Sequence, residues 1–459
     1  MTTPVQEKIG GLNRLLLLSL ILSSAASYSY IYMFHIVIIP ITMIMFLRIF
    51  RDISIPKVLS FDFLFFVSFA VWYIISISWS ENKVYAILYC IYIIFGILTV
   101  LYVCSIARSS LQLRYSISFV ISLVAIEICL SILEGLRVVR LPFSPYSPYR
   151  EYFGRSPIDM NEFSEGLRDY IEALPTGFMG NPNNLASFLV IMLPFFLFHR
   201  VVLIRVFGSV SILTVVYMCG ARAALIAYGI VVAVSLLCWG ASVRRFMGGV
   251  LLVVVVPIGV LAADLIKESP YKRLAEVGAT GDAVMQMASL LLEQPSSVPL
   301  NSVGVRTALI MNGLQALRDT SGLGVGAGNS RLVQERSGIE RLREIGSMHN
   351  FWIEILVDGG VLIAALFACW YLYFIRRLWS VGKNADQQIL RYCGKSLSVG
   401  FIGFTIGAIG PSSVIYMLPM WMLVGFGLSV IRLHGRRRSM IVVRDHLTPL
   451  DGQGAGAYA

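Results

Sequence analysis

The chain has 459 residues, 57% of them hydrophobic and only 14% charged, with a mean hydropathy of +0.76. Soluble domains carry about 25% charged residues, so a soluble globular enzyme is excluded and a polytopic membrane protein is expected. The net charge of +11 lies in short Lys/Arg clusters between apolar segments, as in membrane loops, and no nucleic-acid partner is expected.

Taken in chain order, Lys8 and Arg14, the apolar residues 15–22 and then Ser23-Ser24-Ala25-Ala26-Ser27 imitate a secretory signal. Only more membrane segments follow, so an uncleaved first helix is expected. A crossing needs about 20 apolar residues. The stretch 15–50 is too long for one helix and divides into two, turning near 27–32. Further spans fall near 60–80, 84–107, 115–134, 185–199, 206–221, 223–240, 246–264, 350–375, 396–411 and 413–431, about twelve in all.

Charge orients them. With a cytoplasmic N-terminus, the inner loops carry Arg48, Arg51 and Lys57, then Arg108 and Arg114, Arg200 and Arg205, Arg244 and Arg245, and Arg376 to Lys395, with Arg432 and Arg436 to Arg438 in the tail. The short outer loops carry only Lys83 and Arg222. That bias puts two long polar loops on the outer face. The expected division is membrane helices one to five over 1–134, a first external loop over 135–184 and helices six to nine over 185–265. A large external loop over 266–349, helices ten to twelve over 350–432 and a cytoplasmic tail over 433–459 complete it. The fold class is an all-α integral membrane protein whose second external loop is partly helical.

The seven cysteines lie in or beside apolar segments and form no CxxC, so neither a disulfide framework nor a cysteine metal site is expected. There is no HExxH and no carboxylate pair of convincing metal spacing in the loops; neither metal nor cofactor is expected. Gly322-Leu323-Gly324-Val325-Gly326-Ala327-Gly328 resembles a dinucleotide fingerprint but lacks a preceding strand. It reads as a loop that needs close backbone approach.

Three residues stand out for chemistry. Arg222, in Ala221-Arg222-Ala223-Ala224-Leu225, is a positive charge between two apolar spans. It is either a snorkelling helix-end residue or a functional one. Arg306 opens an amphipathic stretch, 305–318, with Leu309, Leu314 and Leu317 at helical spacing, and its own neighbours are apolar. Two arginines facing one site could clamp a pyrophosphate, because the guanidinium fork matches phosphate oxygens. His349, in Ser347-Met348-His349-Asn350 just before an apolar run, can take a proton near neutral pH. Arginines nearby would favour its neutral form. Glu354 and Asp358 lie one turn apart inside that run; intramembrane acids are functional suspects, with pairing to an arginine the simpler explanation. The tyrosine-rich stretch 146–153 could stack on sugar rings or pack at the bundle mouth.

In order, Gly180-Asn181-Pro182-Asn183-Asn184-Leu185-Ala186, the Arg222 motif, Arg306 ahead of the glycine run, and His349-Asn350 followed by Gly360 resemble the bacterial O-antigen ligase and polymerase family, the WaaL- and Wzy-like proteins. The resemblance covers about 180–375. Ile363 stands where the ligase signature usually has Gly, Thr or Tyr, and Ile226 where the arginine motif often has leucine.

The resemblance implies a GT-C-like helical architecture in the bacterial cytoplasmic membrane. It implies a metal-independent glycosyltransferase that moves a glycan from undecaprenyl diphosphate to an acceptor sugar hydroxyl at the external face. The acceptor is either lipid A–core, in a ligase, or a second lipid-linked repeat unit, in a polymerase. His349 would be the general base, Arg222 and Arg306 the diphosphate ligands, and Asn350 and Glu354 further substrate contacts. A transporter or flippase of lipid-linked oligosaccharides is the alternative.

Overall fold

The computed structural model describes residues 10–22, 25, 27–29, 31–33, 35–40, 61–156, 158, 165–238, 302–337, 346–411 and 413–447. The expected span at 246–264, much of the expected 15–50 pair, the front of the second loop and the end of the tail lie outside them. The chain is an integral membrane protein built of helices. Four of its described helices are long and apolar enough to cross a membrane: α3 (Lys83–Ile106), α4 (Ser110–Gly135), α11 (Phe351–Asn384) and residues Leu418–Arg436 of α13 (Leu418–Leu447). Shorter apolar helices are α1 (Gly11–Leu22), α2 (Phe61–Ser76), α6 (Pro182–Leu197), α7 (Val202–Met218) and α8 (Arg222–Cys238). One element is not helical: a two-stranded antiparallel hairpin, β1 (Ser27–Tyr28) and β2 (Ile31–Tyr32), makes the turn after α1.

The core is organised around α12 (Gln388–Gly407), which packs against α6, α8 and α11. Small residues allow this. A Cβ on Gly394 would sit 2.7 Å from the Gly382 backbone nitrogen of α11, so two helix backbones meet where side chains of ordinary size would hold them apart. Elsewhere α11 packs on α2 through rings, with Phe65 stacked on Trp370 at 4.3 Å. At one end of that contact the buried Asp62 accepts from Arg377 at 2.5 Å and from the Trp370 indole at 3.2 Å, which gives a charge at depth its required partner. On the far side α13 lies along α3, and α4 packs against α1 and α7.

Two polar loops leave this bundle. The first runs from α4 to α6 and contains a 3-10 turn at Pro148–Phe153, the short helix α5 (Glu165–Glu172) and a second 3-10 turn at Gly177–Met179. The described part of the second contains α9 (Ser302–Asp319), the glycine run and α10 (Ser330–Glu335). The expected amphipathic stretch is α9, which buries Val305, Ala308, Leu309 and Leu317.

The glycine run explains an irregularity in α11. That helix is broken at Gly360, whose φ of 79° and ψ of 176° are accessible to glycine alone among ordinary residues. The break strands backbone groups, and the second loop satisfies them. Val325 N–H donates to Val357 O at 2.8 Å and Gly326 N–H to Asp358 O at 3.0 Å, while Val361 N–H donates to Gly322 O at 2.9 Å. Gly322, Gly324, Gly326 and Gly328 all have positive φ. A Cβ on Gly324 would lie 2.5 Å from Gly360 N. The run therefore meshes with the helix gap, backbone against backbone, as irregular main chain at membrane depth must.

Candidate active site

His349 occupies a left-handed conformation, φ 45°, immediately before α11. Its flanks hold it there. Met348 is buried against α9, where a Cβ on Gly313 would touch its Cε, and its sulfur receives a hydrogen bond from Gln334. Gln334, wholly buried, also donates to Leu309 O at 3.1 Å and so links α9, α10 and Met348. On the other side Asn350 is the N-cap of α11: its side-chain oxygen accepts from Trp352 N at 3.1 Å and Ile353 N at 3.4 Å. Phe351 N donates to Ala408 O at 3.1 Å, which draws the end of α12 alongside.

Arg306, on α9, is the electrostatic neighbour of both His349 and Arg222. Burial and the Arg306 charge lower the His349 pKa to about 4, while a hydrogen bond with the Gly410 backbone acts the other way. A hydrogen bond that favours the protonated ring is one the ring donates. His349 therefore gives one N–H to the Gly410 carbonyl and keeps a lone pair on its other nitrogen. Arg306 is held below the ordinary guanidinium value by burial first and by Arg222 second. No carboxylate pairs with Arg306 or Arg222 among the described residues. Arg222 is exposed and begins α8, so the positive end of the helix dipole adds to the cationic field.

The Gly180–Ala186 motif reaches the same place. Asn181 caps α6 by accepting from Asn183 N and Asn184 N, with Pro182 in the first turn. Ser187 donates to Gly407 O at 2.7 Å, and Asn183 Oδ1 lies 3.7 Å from the position of a Cβ on Gly410. The four sequence pieces thus form a series of neighbours: Asn183 lies near Gly410, Gly410 bonds His349, and Arg306 is the electrostatic neighbour of both His349 and Arg222.

Glu354 and Asp358 are placed otherwise than the simpler expectation. Neither meets an arginine. Glu354 Oε1 accepts from Tyr89 OH at 3.1 Å and from Ser413 Oγ at 2.6 Å, and Asp358 Oδ1 accepts from Ser330 N at 2.7 Å. They fasten α3, the 413–417 turn and α10 to the first half of α11. Glu354 and Asn350 therefore spend these oxygens on intramolecular bonds.

Sequence reading missed the acids that hold the first loop. Glu134, on α4 and wholly buried, accepts from Arg140 at 2.9 Å, Thr176 N at 2.7 Å and Gly177 N at 3.0 Å. Glu127, two turns earlier, accepts from Phe178 N at 2.8 Å. Together they fix the segment that enters the Asn181 cap. The signal was available, since both are acids inside an apolar run.

Residues 207–368 match the Wzy_C family model, described as O-antigen ligase. A teichuronic acid biosynthesis protein, TuaE of Bacillus subtilis (strain 168), is 25% identical over 135 residues, 29% of this chain and 28% of that protein. The match thus spans little more than a quarter of the relative. The stretch that matches the O-antigen ligase model, residues 207–368, includes both arginines and the histidine.

Proposed function

We propose that the chain is a membrane glycosyltransferase of the O-antigen ligase/polymerase type, working in cell-surface polysaccharide synthesis. Its donor is a glycan on undecaprenyl diphosphate, and its acceptor is a sugar hydroxyl at the external face of the cytoplasmic membrane. The observation that carries this reading is Arg306, set between Arg222 and His349 with no described carboxylate to balance the two arginines. A diphosphate is the complement of that field. About twelve spans in a GT-C-like bundle, cytoplasmic termini and outward-facing loops belong to the same proposal.

In the reaction, His349 takes the proton of the acceptor hydroxyl on its free ring nitrogen. The acceptor oxygen bonds to the anomeric carbon as the bond from that carbon to the phosphate oxygen breaks, with inversion. The electron pair leaves on the diphosphate, where Arg222 and Arg306 stabilise the growing charge, commonly the larger contribution. Metal is not required, because the two guanidinium groups already occupy the charge-neutralising role. Asn350 and Glu354 act here by positioning the start of α11.

A base with a pKa near 4 is a weak one. Diphosphate bound at Arg306 compensates the charge that depresses it, so donor binding raises the basicity of His349. The broken helix α11 gives the transporter reading its one specific support, since such breaks also line transport sites.

The test is a transfer assay with purified protein, EDTA and labelled undecaprenyl-diphosphate oligosaccharide, supplied with lipid A–core and excess lipid-linked repeat unit, beside His349→Ala. Transfer that vanishes in the variant is expected, and the product's size and acceptor separate ligase from polymerase. Absence of transfer by the wild type, with donor crossing liposome bilayers, would establish the transporter instead.

A further inference from the structure

Four arginines of the first loop, Arg137, Arg140, Arg150 and Arg155, fall into two kinds. Arg137 pairs with Asp169 and Glu172, and Arg140 with Glu134. Arg150 and Arg155 have no carboxylate partner among the described residues. Arg155 spends its guanidinium on neutral groups, donating to Ser29 O at 2.7 Å and Ser27 Oγ at 3.3 Å, which docks the 3-10 turn on the β1–β2 hairpin. Arg150 Nε is buried without any hydrogen-bond partner. Its electrostatic neighbours are Arg155 and Tyr146, and burial and Arg155 depress its pKa. Two cations side by side, one with an unused buried donor, are unfavourable unless an anion joins them.

The surface beside them suits a sugar. Tyr149 and Tyr152, on the same turn, have rings 6.4 Å apart and inclined by 26°, and they are 58% and 79% exposed. The turn is firm: Ser147 caps it, Phe153 meets Phe143 edge-on at 6.0 Å, and Phe153 O accepts from Ser29 N at 2.7 Å. Through Ser144, which receives a hydrogen bond from Thr176, the turn is tied to the segment that leads to Asn181 and the His349 site. Exposed aromatic faces in the same segment as guanidinium groups that have no carboxylate among the described residues can recognise a ring that bears a negative charge.

We propose that Arg150 and Arg155, with Tyr149 and Tyr152, form a second binding site that holds an acidic sugar of the glycan, one carrying a carboxylate or phosphate, while the reacting end lies at His349. This rests on the glycosyltransferase reading. The arginines receive the anionic substituent and the tyrosines cover the ring, so the site selects charged over neutral repeat units.

The experiment is equilibrium binding of a uronic-acid oligosaccharide and a neutral oligosaccharide of equal length to the full chain in nanodiscs of neutral lipid, and again of anionic lipid. Wild type should bind the acidic oligosaccharide roughly 10- to 100-fold more tightly, the size of a charge-assisted pair. Arg150→Gln should erase that preference and leave neutral binding unchanged, while Tyr152→Ala should weaken both. His349→Ala should bind as wild type does, which separates this site from the catalytic proposal. Equal affinity for the two oligosaccharides, an unaltered preference in Arg150→Gln, or a preference abolished by anionic lipid alone would overturn the assignment; the last would make the site one for lipid headgroups.

Discussion

The two polar loops are anchored to the bundle in different proportions of side chain and main chain. The first is held by side chains: Glu127 and Glu134, inside α4, reach out to the N–H groups of 176–178 and to Arg140. The second adds main chain to such a grip: beside the Asp358 carboxylate that accepts from Ser330 N, its glycine run exchanges hydrogen bonds with the gap in α11. A carboxylate anchor is specified by charge and tolerates variation in the loop it grips. A backbone anchor is specified by the absence of side chains and tolerates almost none. The loop that carries Arg306 and leads to His349 thus depends on shape as well as charge, and the one leading to the Asn181 cap chiefly on charge.

Changes that attack each anchor in its own currency should break this contrast. The largest effect is expected from Gly360→Ala. Its Cβ would lie 2.3 Å from Leu323 O at a φ reserved for glycine. Strain and overlap together should exceed about 4 kcal/mol, read as lost transfer activity and a collapsed melting transition. Glu134→Ala comes next. It strips a buried pair of its acid, leaving Arg140 with only carbonyl partners and two N–H groups unmet, a loss of about 3–5 kcal/mol. Glu134→Gln, which can still accept, should recover part of it in the same melting measurement.

Removing the Asn350 cap is a smaller change. Asn350→Ala should cost about 1 kcal/mol. Because His349 sits on that cap, kcat should fall more than melting suggests.

The finest probe is pH. His349 acts as the neutral base, so kcat/KM should hold down to about pH 4 and fall below it. Arg306→Gln removes a cation that disfavours the imidazolium, so the limb should move to higher pH as activity falls. The limb for kcat, with donor bound, should lie above that for kcat/KM. An unmoved limb in Arg306→Gln would mean that the second loop does not present Arg306 to His349.

Much of this was legible in the residues, for physical reasons that differ by region. The apolar helices declare themselves by length and composition, because a bilayer demands both. The glycine run announced close backbone approach, though not its partner, since nothing local to 322–328 names the gap at Gly360. Arg222, Arg306 and His349 could be singled out as charges in unusual surroundings, but their meeting depends on packing between elements far apart in the chain. Asn350 and Glu354 stand out in the sequence as polar residues beside a candidate base, whereas their cap and cross-brace geometry appears only in three dimensions. Glu127, Glu134 and Gln334 went unread because each serves the site by holding something else in place.

The break in α11 has one more consequence. The piece carrying His349 runs only from Phe351 to Gly359, and its outside bonds go to α3, α10, the glycine run and Ala408 just after α12. Val361, the first residue of the helix beyond the break, donates to Gly322 O, so one glycine run grips the helix on both sides of the joint. The candidate base and the membrane-crossing part of its helix are thus registered against a single loop.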